Sequence, residues 1–402
     1  MAVFFYTYTL LLENKKEIFV CLLAGKFFTI FNYYQHKKHF MVRSLLLLAF
    51  ICFTSVGKSQ KNEKPISVIA YYAGSPTMID SFKVEQLTHL IFSFCHLKGD
   101  SLSVNNARDS ATIRNMVSLK KRNPNLKVML SLGGWGGCKT CSDVFASKKG
   151  RKAFAQSTKD LNDYFGTDGI DLDWEYPVVE GYPGHPFRLA DKKNFTALVK
   201  QLRKKLGKNN EISFAAGGFP SYIDSAIDWK KVMPLVNRVN LMSYDLTSGF
   251  SKISGHHTPL YSSPQKVESV DNGVTKLISA GVPTHKIAIG AAFYTRIFKT
   301  EDTANHGLYR PAQFFRGVPY KHFADFFTDN PGFIKYWDSV AKAPYAFNPE
   351  QKLFATFDDS ASIKLKTEYA IKNHLNGIMF WQLAEDTFSD GLLDIIDESK
   401  NQ

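Results

Sequence analysis

Between positions 168 and 177 the chain reads Asp168-Gly-Ile-Asp171-Leu-Asp173-Trp-Glu175-Tyr-Pro177, placing four acids within one short segment. In an extended strand alternate side chains share a face. Asp171, Asp173 and Glu175 then point one way, and Ile170, Leu172 and Trp174 the other. Crowding three carboxyls on one buried face disfavours ionisation, through lost hydration and mutual repulsion. Such a cluster holds a proton near neutral pH, and Glu175, the last of the set, lies nearest the C-terminal end of the strand. It is the natural proton donor. A structural acidic cluster, or a site for Mg²⁺ or Ca²⁺, would use the same residue types. Spacing alone leaves the reaction open.

The flanking pattern predicts what holds this strand. Short β-branched and aromatic runs recur at 67–72, 89–94, 127–132, 169–174, 212–216, 238–243, 286–292 and 377–383. Amphipathic stretches at 110–122, 151–165, 187–206, 265–280 and 362–374 lie between them. Eight strands in βα units predict an α/β fold, a (β/α)8 TIM barrel with its chemistry at the C-terminal strand ends. An open doubly wound sheet more often opens on a glycine-rich phosphate turn, and Tyr71-Tyr-Ala-Gly74 is not one. About eighty residues separate the last two strands. A structureless loop of that length is improbable, so a small α+β insertion is expected at about 297–353.

Of 402 residues 14% are aromatic and 22% charged, which excludes disorder. The net charge is +13, and residues 1–59 carry +5 of it. The remaining Lys and Arg are scattered and match no nucleic-acid motif, so no nucleic-acid partner is expected. Met41-Val-Arg43-Ser, the apolar run to Phe53 and Ser55-Val56-Gly57 together read as a secretory signal peptide over 41–59. Residues 1–40 are expected to be an over-extended translation, the alternative being a membrane anchor. The chain from 60 to 402 then acts as a secreted or periplasmic monomer, free of the membrane. Cys95 reads as core. Cys138-Lys-Thr-Cys141 lacks the second ligand pair that zinc needs, so in an exported protein a local structural disulfide is favoured. No cofactor or metal is expected.

The segment DGIDLDWEYP resembles the DxxDxDxE signature of glycoside hydrolase family 18, with a chitinase-type Trp-Glu-Tyr-Pro ending. Other segments resemble family marks in the same order: Ser131-Leu-Gly133-Gly134 on strand three, Met242-Ser-Tyr244-Asp245 on strand six and Gly255-His-His-Thr-Pro-Leu-Tyr261 after it. Tyr294-Thr-Arg296 closes strand seven, and Trp381 lies on strand eight. The likeness is to bacterial chitinases that carry an α+β insertion, and it runs from about Pro65 to Asp397. It implies chitin or chitooligosaccharide as substrate, with the sugar's own N-acetyl group as nucleophile.

By the resemblance, Glu175 is general acid and then base, and Asp173 accepts the acetamido N–H. Asp171 shares a proton with Asp173. Tyr244 orients the acetamido carbonyl, and Asp245 holds sugar hydroxyls. Trp381 forms the floor of the cleaved-sugar site. Tyr71, Phe94, Met242 and Tyr294 line its walls, Arg296 donates hydrogen bonds, and Trp135 stacks on a more distant sugar. Each of these could instead be barrel core. Asp168, Gly133 and Gly134 are expected to be structural, and Trp229 and Trp337 to be packing residues. Two rivals share the fold: a chitin-binding lectin, which usually lacks the terminal acid, and an endo-β-N-acetylglucosaminidase acting on N-glycans.

Overall fold

The computed structural model describes residues 65–401. The expected signal peptide and the segment before it lie outside these residues. The strands, in chain order, are β1 (Ser67–Tyr72), β2 (His89–Lys98), β3 (Ser101–Ser103), β4 (Lys127–Gly133), β5 (Gly169–Asp173), β6 (Glu211–Gly217) and β7 (Arg238–Met242). They continue with β8 (Ile287–Ala292), β9 (Tyr294–Thr300), β10 (Ala312–Pro319), β11 (Ile334–Asp338), β12 (Ala343–Asn348), β13 (Leu353–Thr356) and β14 (Gly377–Trp381).

β1 pairs in parallel with β2 on one side and with β14 on the other, and β2, β4, β5, β6, β7, β8 and β14 follow one another in parallel register. Eight parallel strands therefore close a (β/α)8 barrel. β3 is a short antiparallel strand on the extended end of β2.

The alternation read in the acidic strand sorts the side chains into two layers. Ile170, Leu172 and Trp174 belong to the large apolar layer between strands and helices, where Trp174 packs on Phe145 and Phe195. A smaller cluster fills the barrel itself: Ile69, Tyr71, Ile91, Met129, Ala215, Met242, Ala288 and Met379. Helix Lys148–Phe165 shows how the outer layer is set. Ser147 caps it by accepting from the Gly150 N–H at 2.8 Å, Gly166 ends it at φ 74°, and it buries Phe154, Ala155 and Phe165.

The N-terminal end of the barrel is plugged by charge. Arg238 Nη1 lies 2.6 Å from Glu211 Oε2 and 2.8 Å from His89 Nε2. Burial, then the Arg238 charge, hold the His89 imidazole down at about 4, while the His89 and Arg238 contacts pull the Glu211 carboxyl down to about 2 against its burial.

Between β8 and β14 stands an antiparallel sheet in the order β10-β9-β13-β12-β11, with helix Phe323–Asp329. It extends beyond the expected insertion, from Tyr294 to Thr356. Tyr294 and Arg296 thus lie on the first strand of the insertion and not on the seventh barrel strand, which stops at Ala292. Only Phe293, stacked 4.1 Å from Phe380, separates the two strands. No turn residue marks the change of sheet in the sequence. Trp337 also departs from expectation: it is 40% exposed on the edge strand β11, whereas Trp229 is buried and stacks on Phe214.

Candidate active site

Asp171 sits at the centre of the barrel, fully buried, and accepts four hydrogen bonds. Tyr71 Oη and Ser131 Oγ donate to its Oδ2, each at 3.0 Å. Ser213 Oγ donates to Oδ1 at 2.6 Å and Asn240 Nδ2 at 3.1 Å. All four lone-pair positions of the carboxylate are therefore occupied. Burial still outweighs these donors and leaves the carboxyl above its ordinary range. Asn240 Nδ2 also donates to Tyr71 Oη at 3.0 Å, so the donors brace one another.

One step up the strand, Asp173 is buried and its Oδ1 has no hydrogen-bond partner. Burial pushes its carboxyl well up, and Glu175 and Asp171 push it further. Glu175 lies at the mouth. Burial raises its carboxyl to about 7, opposed by a hydrogen bond from Tyr176 and assisted by the charge of Asp245. A run of acids becomes a proton store because the barrel withholds water and the acids repel one another's charge.

The glycines beside it are required. Gly134 N–H donates to the Asp173 carbonyl at 3.0 Å, and a Cβ on Gly133 would lie 2.2 Å from that oxygen. Gly133 and Gly134 have φ of 109° and 77°, where glycine alone is at ease. Asp168, at the start of the strand, accepts from the Val128 N–H at 2.8 Å and pairs with Lys120 at 2.7 Å.

Across the mouth, β7 delivers Tyr244 and Asp245. Burial, then Asp173 and Glu175, raise the Tyr244 hydroxyl well above its usual range, which places that hydroxyl within the field of the acid pair. Its ring meets Tyr294 edge-on, with centroids 6.3 Å apart. Asp245 has φ 55° and receives a two-pronged bond from Arg296, Nε to Oδ1 at 2.7 Å and Nη2 to Oδ2 at 2.5 Å. Burial would raise the Asp245 carboxyl, but His257 and Arg296 outweigh it and hold it well below the carboxylate range. Trp381 ends β14 and stacks nearly parallel on Phe94 at 5.5 Å, with Tyr71 at 6.0 Å.

Most of the expected site residues come together at this mouth: Glu175, Asp173, Tyr244, Asp245, Tyr294, Arg296, Phe94 and Trp381. Two are placed otherwise. Tyr71 is 1% exposed and Met242 8% exposed, so both fill the barrel beneath the site instead of lining its wall. Trp135 is 49% exposed on the rim, its ring 6.0 Å from Phe250. Cys138 and Cys141 form a disulfide in the Trp135 loop.

Ser213, Asn240 and Phe250 went unread in the sequence, and His257 was read only as part of the Gly255–Tyr261 loop. Ser213 and Asn240 had a signal, as single polar residues on the inward face of otherwise apolar strands. Phe250 had none.

Residues 51–386 match the family described as Glycosyl hydrolases family 18. Chitinase A1 of Niallia circulans is 33% identical over 302 residues, 69% of this chain and 43% of that protein. The chain thus spans less than half the length of that relative. Chitotriosidase-1 of Mus musculus is 31% identical over 325 residues, 75% of this chain and 67% of that protein. Among solved structures, a family 18 N-acetylglucosaminidase from Paenibacillus barengoltzii superposes with a TM-score of 0.75 at 33% identity, covering 83% of this chain and 99% of that one. A barrel whose fifth strand in the chain carries DxxDxDxE inward, with the family matched over most of its length, makes this chain a member of glycosyl hydrolase family 18.

Proposed function

We propose that the chain hydrolyses β-1,4-linked N-acetylglucosamine polymers, chitin and its oligosaccharides, with retention of anomeric configuration and with the substrate's acetamido group as nucleophile. The observation that carries this reading is the run of carboxyls Asp171, Asp173 and Glu175 up one barrel strand, with Asp173 Oδ1 unpartnered and burial raising the Glu175 carboxyl at the mouth to about 7. One protonated acid at the mouth suits protonation of a glycosidic oxygen.

The steps balance without a protein nucleophile. Glu175 gives its proton to the departing oxygen while the acetamido carbonyl oxygen closes on C1, forming an oxazolinium ion. Asp173 accepts the acetamido N–H and stabilises the charge developing on that ring. Its unpartnered Oδ1 supports the assignment, because substrate supplies the missing donor. Tyr244 directs its hydroxyl at the acetamido group. Glu175, now a carboxylate, takes a proton from water, and the hydroxide attacks C1 to release the sugar.

Asp171 acts through Asp173, its own lone pairs being taken by four donors. Those donors also leave Asp171 no lone pair for a cation. Arg296 and Asp245 present a fixed polar pair to sugar hydroxyls, and Trp381 offers an apolar face to the sugar ring. A polypeptide exported through the leader at 41–59 and acting as a monomer completes the reading. Among the described residues no helix is long and apolar enough to cross a membrane.

Incubation with chitotetraose and with a high-mannose glycoprotein tests the substrate. Products from chitotetraose alone are expected. Release of glycan from the glycoprotein would favour the endoglycosidase, and no product from either would favour a lectin. The similarity to an N-acetylglucosaminidase gives the product size a meaning. N-acetylglucosamine as the sole early product would mark an enzyme that removes single sugars, and disaccharide would mark a chitinase.

A further inference from the structure

Lys366 and Asp358 form an ion pair whose two side chains have no exposed area. Asp358 stands two residues past β13, where the insertion returns to the barrel, and Lys366 lies on the helix that follows, Ser360–Lys372. Lys366 Nζ donates to Asp358 Oδ1 at 2.8 Å, to Asp358 Oδ2 at 2.7 Å and to Thr258 Oγ1 at 2.5 Å, so all three ammonium protons are placed. Asp358 also accepts from Ser362 Oγ at 2.7 Å and from the Ala292 N–H, at the end of β8, at 3.0 Å.

Stability does not account for such a pair. Stripping both charges of water costs about as much as their attraction returns, and apolar residues of the same volume often serve as well or better. Burial draws the Lys366 ammonium below its usual range, against the pull of Asp358. What a wholly buried pair does supply is one arrangement of the elements that meet at it, since any other strands a charge.

The element arranged here is the peptide that carries Tyr244. Thr258 accepts from Lys366, and its own proton goes to the Ser243 carbonyl at 3.1 Å, nearer than the alternative acceptor, Asp358 Oδ2 at 3.3 Å. That carbonyl belongs to the peptide bond between Ser243 and Tyr244. Ser243 is fixed from its other side as well: its hydroxyl accepts from the Gly290 N–H at 2.9 Å and donates to the Gly290 carbonyl at 3.0 Å. The Tyr244 ring lies on Gly290, where an added Cβ would come within 2.9 Å of it.

The insertion grips the two residues before Thr258 in the same way. The His257 N–H donates to Thr356 Oγ1 at 3.1 Å, and His256 Nε2 lies 3.0 Å from Asp338 Oδ2. His257 in turn brings its Nδ1 to 3.5 Å from Asp245 Oδ1. Tyr244 and Asp245 are therefore both tied to the seating of the insertion, through three consecutive residues of one loop.

We propose that Lys366 and Asp358 are positioning residues for the reaction, acting through Thr258 and the Ser243 carbonyl to set Tyr244 against the acetamido group. This role rests on the proposed chitin hydrolysis and extends it to residues that no substrate can touch.

Steady-state kinetics on chitotetraose, with thermal melts, test this role in the full chain and in Thr258→Val, Thr258→Ser and the double variant Asp358→Asn/Lys366→Met. Thr258→Val keeps the shape and the ion pair but deletes the hydroxyl. It is expected to lower kcat about 3–10-fold, the worth of one hydrogen bond, with KM changed by less than about twofold. Thr258→Ser keeps the hydroxyl and is expected to recover kcat to within about twofold of wild type, which a loss of packing alone would not allow. The double variant removes both charges together. It is expected to melt within a few degrees of wild type and yet to lose at least as much kcat as Thr258→Val. Wild-type kcat in Thr258→Val, or a loss that Thr258→Ser fails to recover, overturns the role whatever the double variant does. A wild type that leaves chitotetraose uncut is a different result, and it contradicts the proposed hydrolysis itself.

Discussion

Tyr71 and Asp171 stand one hundred positions apart and meet inside the barrel, hydroxyl to carboxylate at 3.0 Å. The contact joins the first barrel strand to the acidic strand across the lumen. It gives Asp171 one of the four donors that let a carboxyl exist there at all. Removing the donor should weaken the network without emptying it. Tyr71→Phe is expected to lower kcat by roughly 10–150-fold, the worth of one hydrogen bond to a charged group, with KM nearly unchanged. Steady-state kinetics on chitotetraose read both. An equal loss confined to KM would show that Tyr71 contacts substrate, against its burial.

The pH dependence follows from Glu175. Its carboxyl is raised to about 7, so the proton needed for the first step is present below that pH and lost above it. The profile of kcat/KM should fall on its alkaline side with an apparent pKa near 7. A profile flat from pH 6 to 9 would place the donor elsewhere.

Arg296→Ala should leave Asp245, beside Glu175, with His257 as its remaining partner. The two-pronged bond is then gone, and the Asp245 carboxyl rises from its depressed value. A fall in kcat/KM of about 10–150-fold is expected, since losing a charge-assisted bond in this half-buried pair costs about 1.5–3 kcal/mol. The alkaline limb of the pH profile should move at the same time. Lysine in place of arginine would restore charge without the fork and should recover only part of the loss.

Stability should also depend on pH, through the plug at the opposite end of the barrel. His89 has a folded-state value of about 4 against an ordinary 6.5. Between these values the unfolded chain binds a proton that the folded chain does not, so stability rises with pH across that window. It is complete above 6.5 and is lost as pH falls towards 4. The loss amounts to about 3 kcal/mol. Thermal melts from pH 7 down to 4.5 should show Tm falling, and His89→Gln should flatten the dependence. A Tm independent of pH over this range would show that His89 is not held neutral.

Much of this architecture was legible in the chain. The inward acids and outward apolar residues of 170–174 follow from a period of two, and the barrel follows from eight apolar runs separated by amphipathic stretches. What the sequence hid has physical causes. Tyr294 and Arg296 read as the end of the seventh barrel strand because the chain passes from one sheet to the next through a single buried Phe293. Tyr71 read as a wall residue because a strand-end aromatic can face sugar or lumen, and only the Asp171 contact decides which. Phe250 and Tyr182 sit in loops without periodicity, and nothing local announces that they flank Trp135. Trp337 looked like packing because tryptophan usually is, yet it lies on a sheet edge.

Metal removal should do nothing. Asp171 has no lone pair to spare, and the proposed steps need only protons and the substrate's amide. Activity after exhaustive EDTA treatment is expected to match the untreated enzyme, and loss restored by Mg²⁺ or Ca²⁺ would contradict the scheme. The first-formed product should be the β anomer, because two displacements at C1 restore its configuration. Proton NMR in the first minutes, before mutarotation, distinguishes it from the α anomer expected of direct attack by water.

The proposed catalysis depends most on Glu175, two residues beyond the end of β5. Turnover of chitotetraose by Glu175→Gln, measured beside its affinity for the same oligosaccharide, tests that dependence directly. The expected result is a kcat lowered by about 10²–10⁴-fold or more, with binding kept within a few-fold. Hydrolysis at a rate near that of wild type would contradict it.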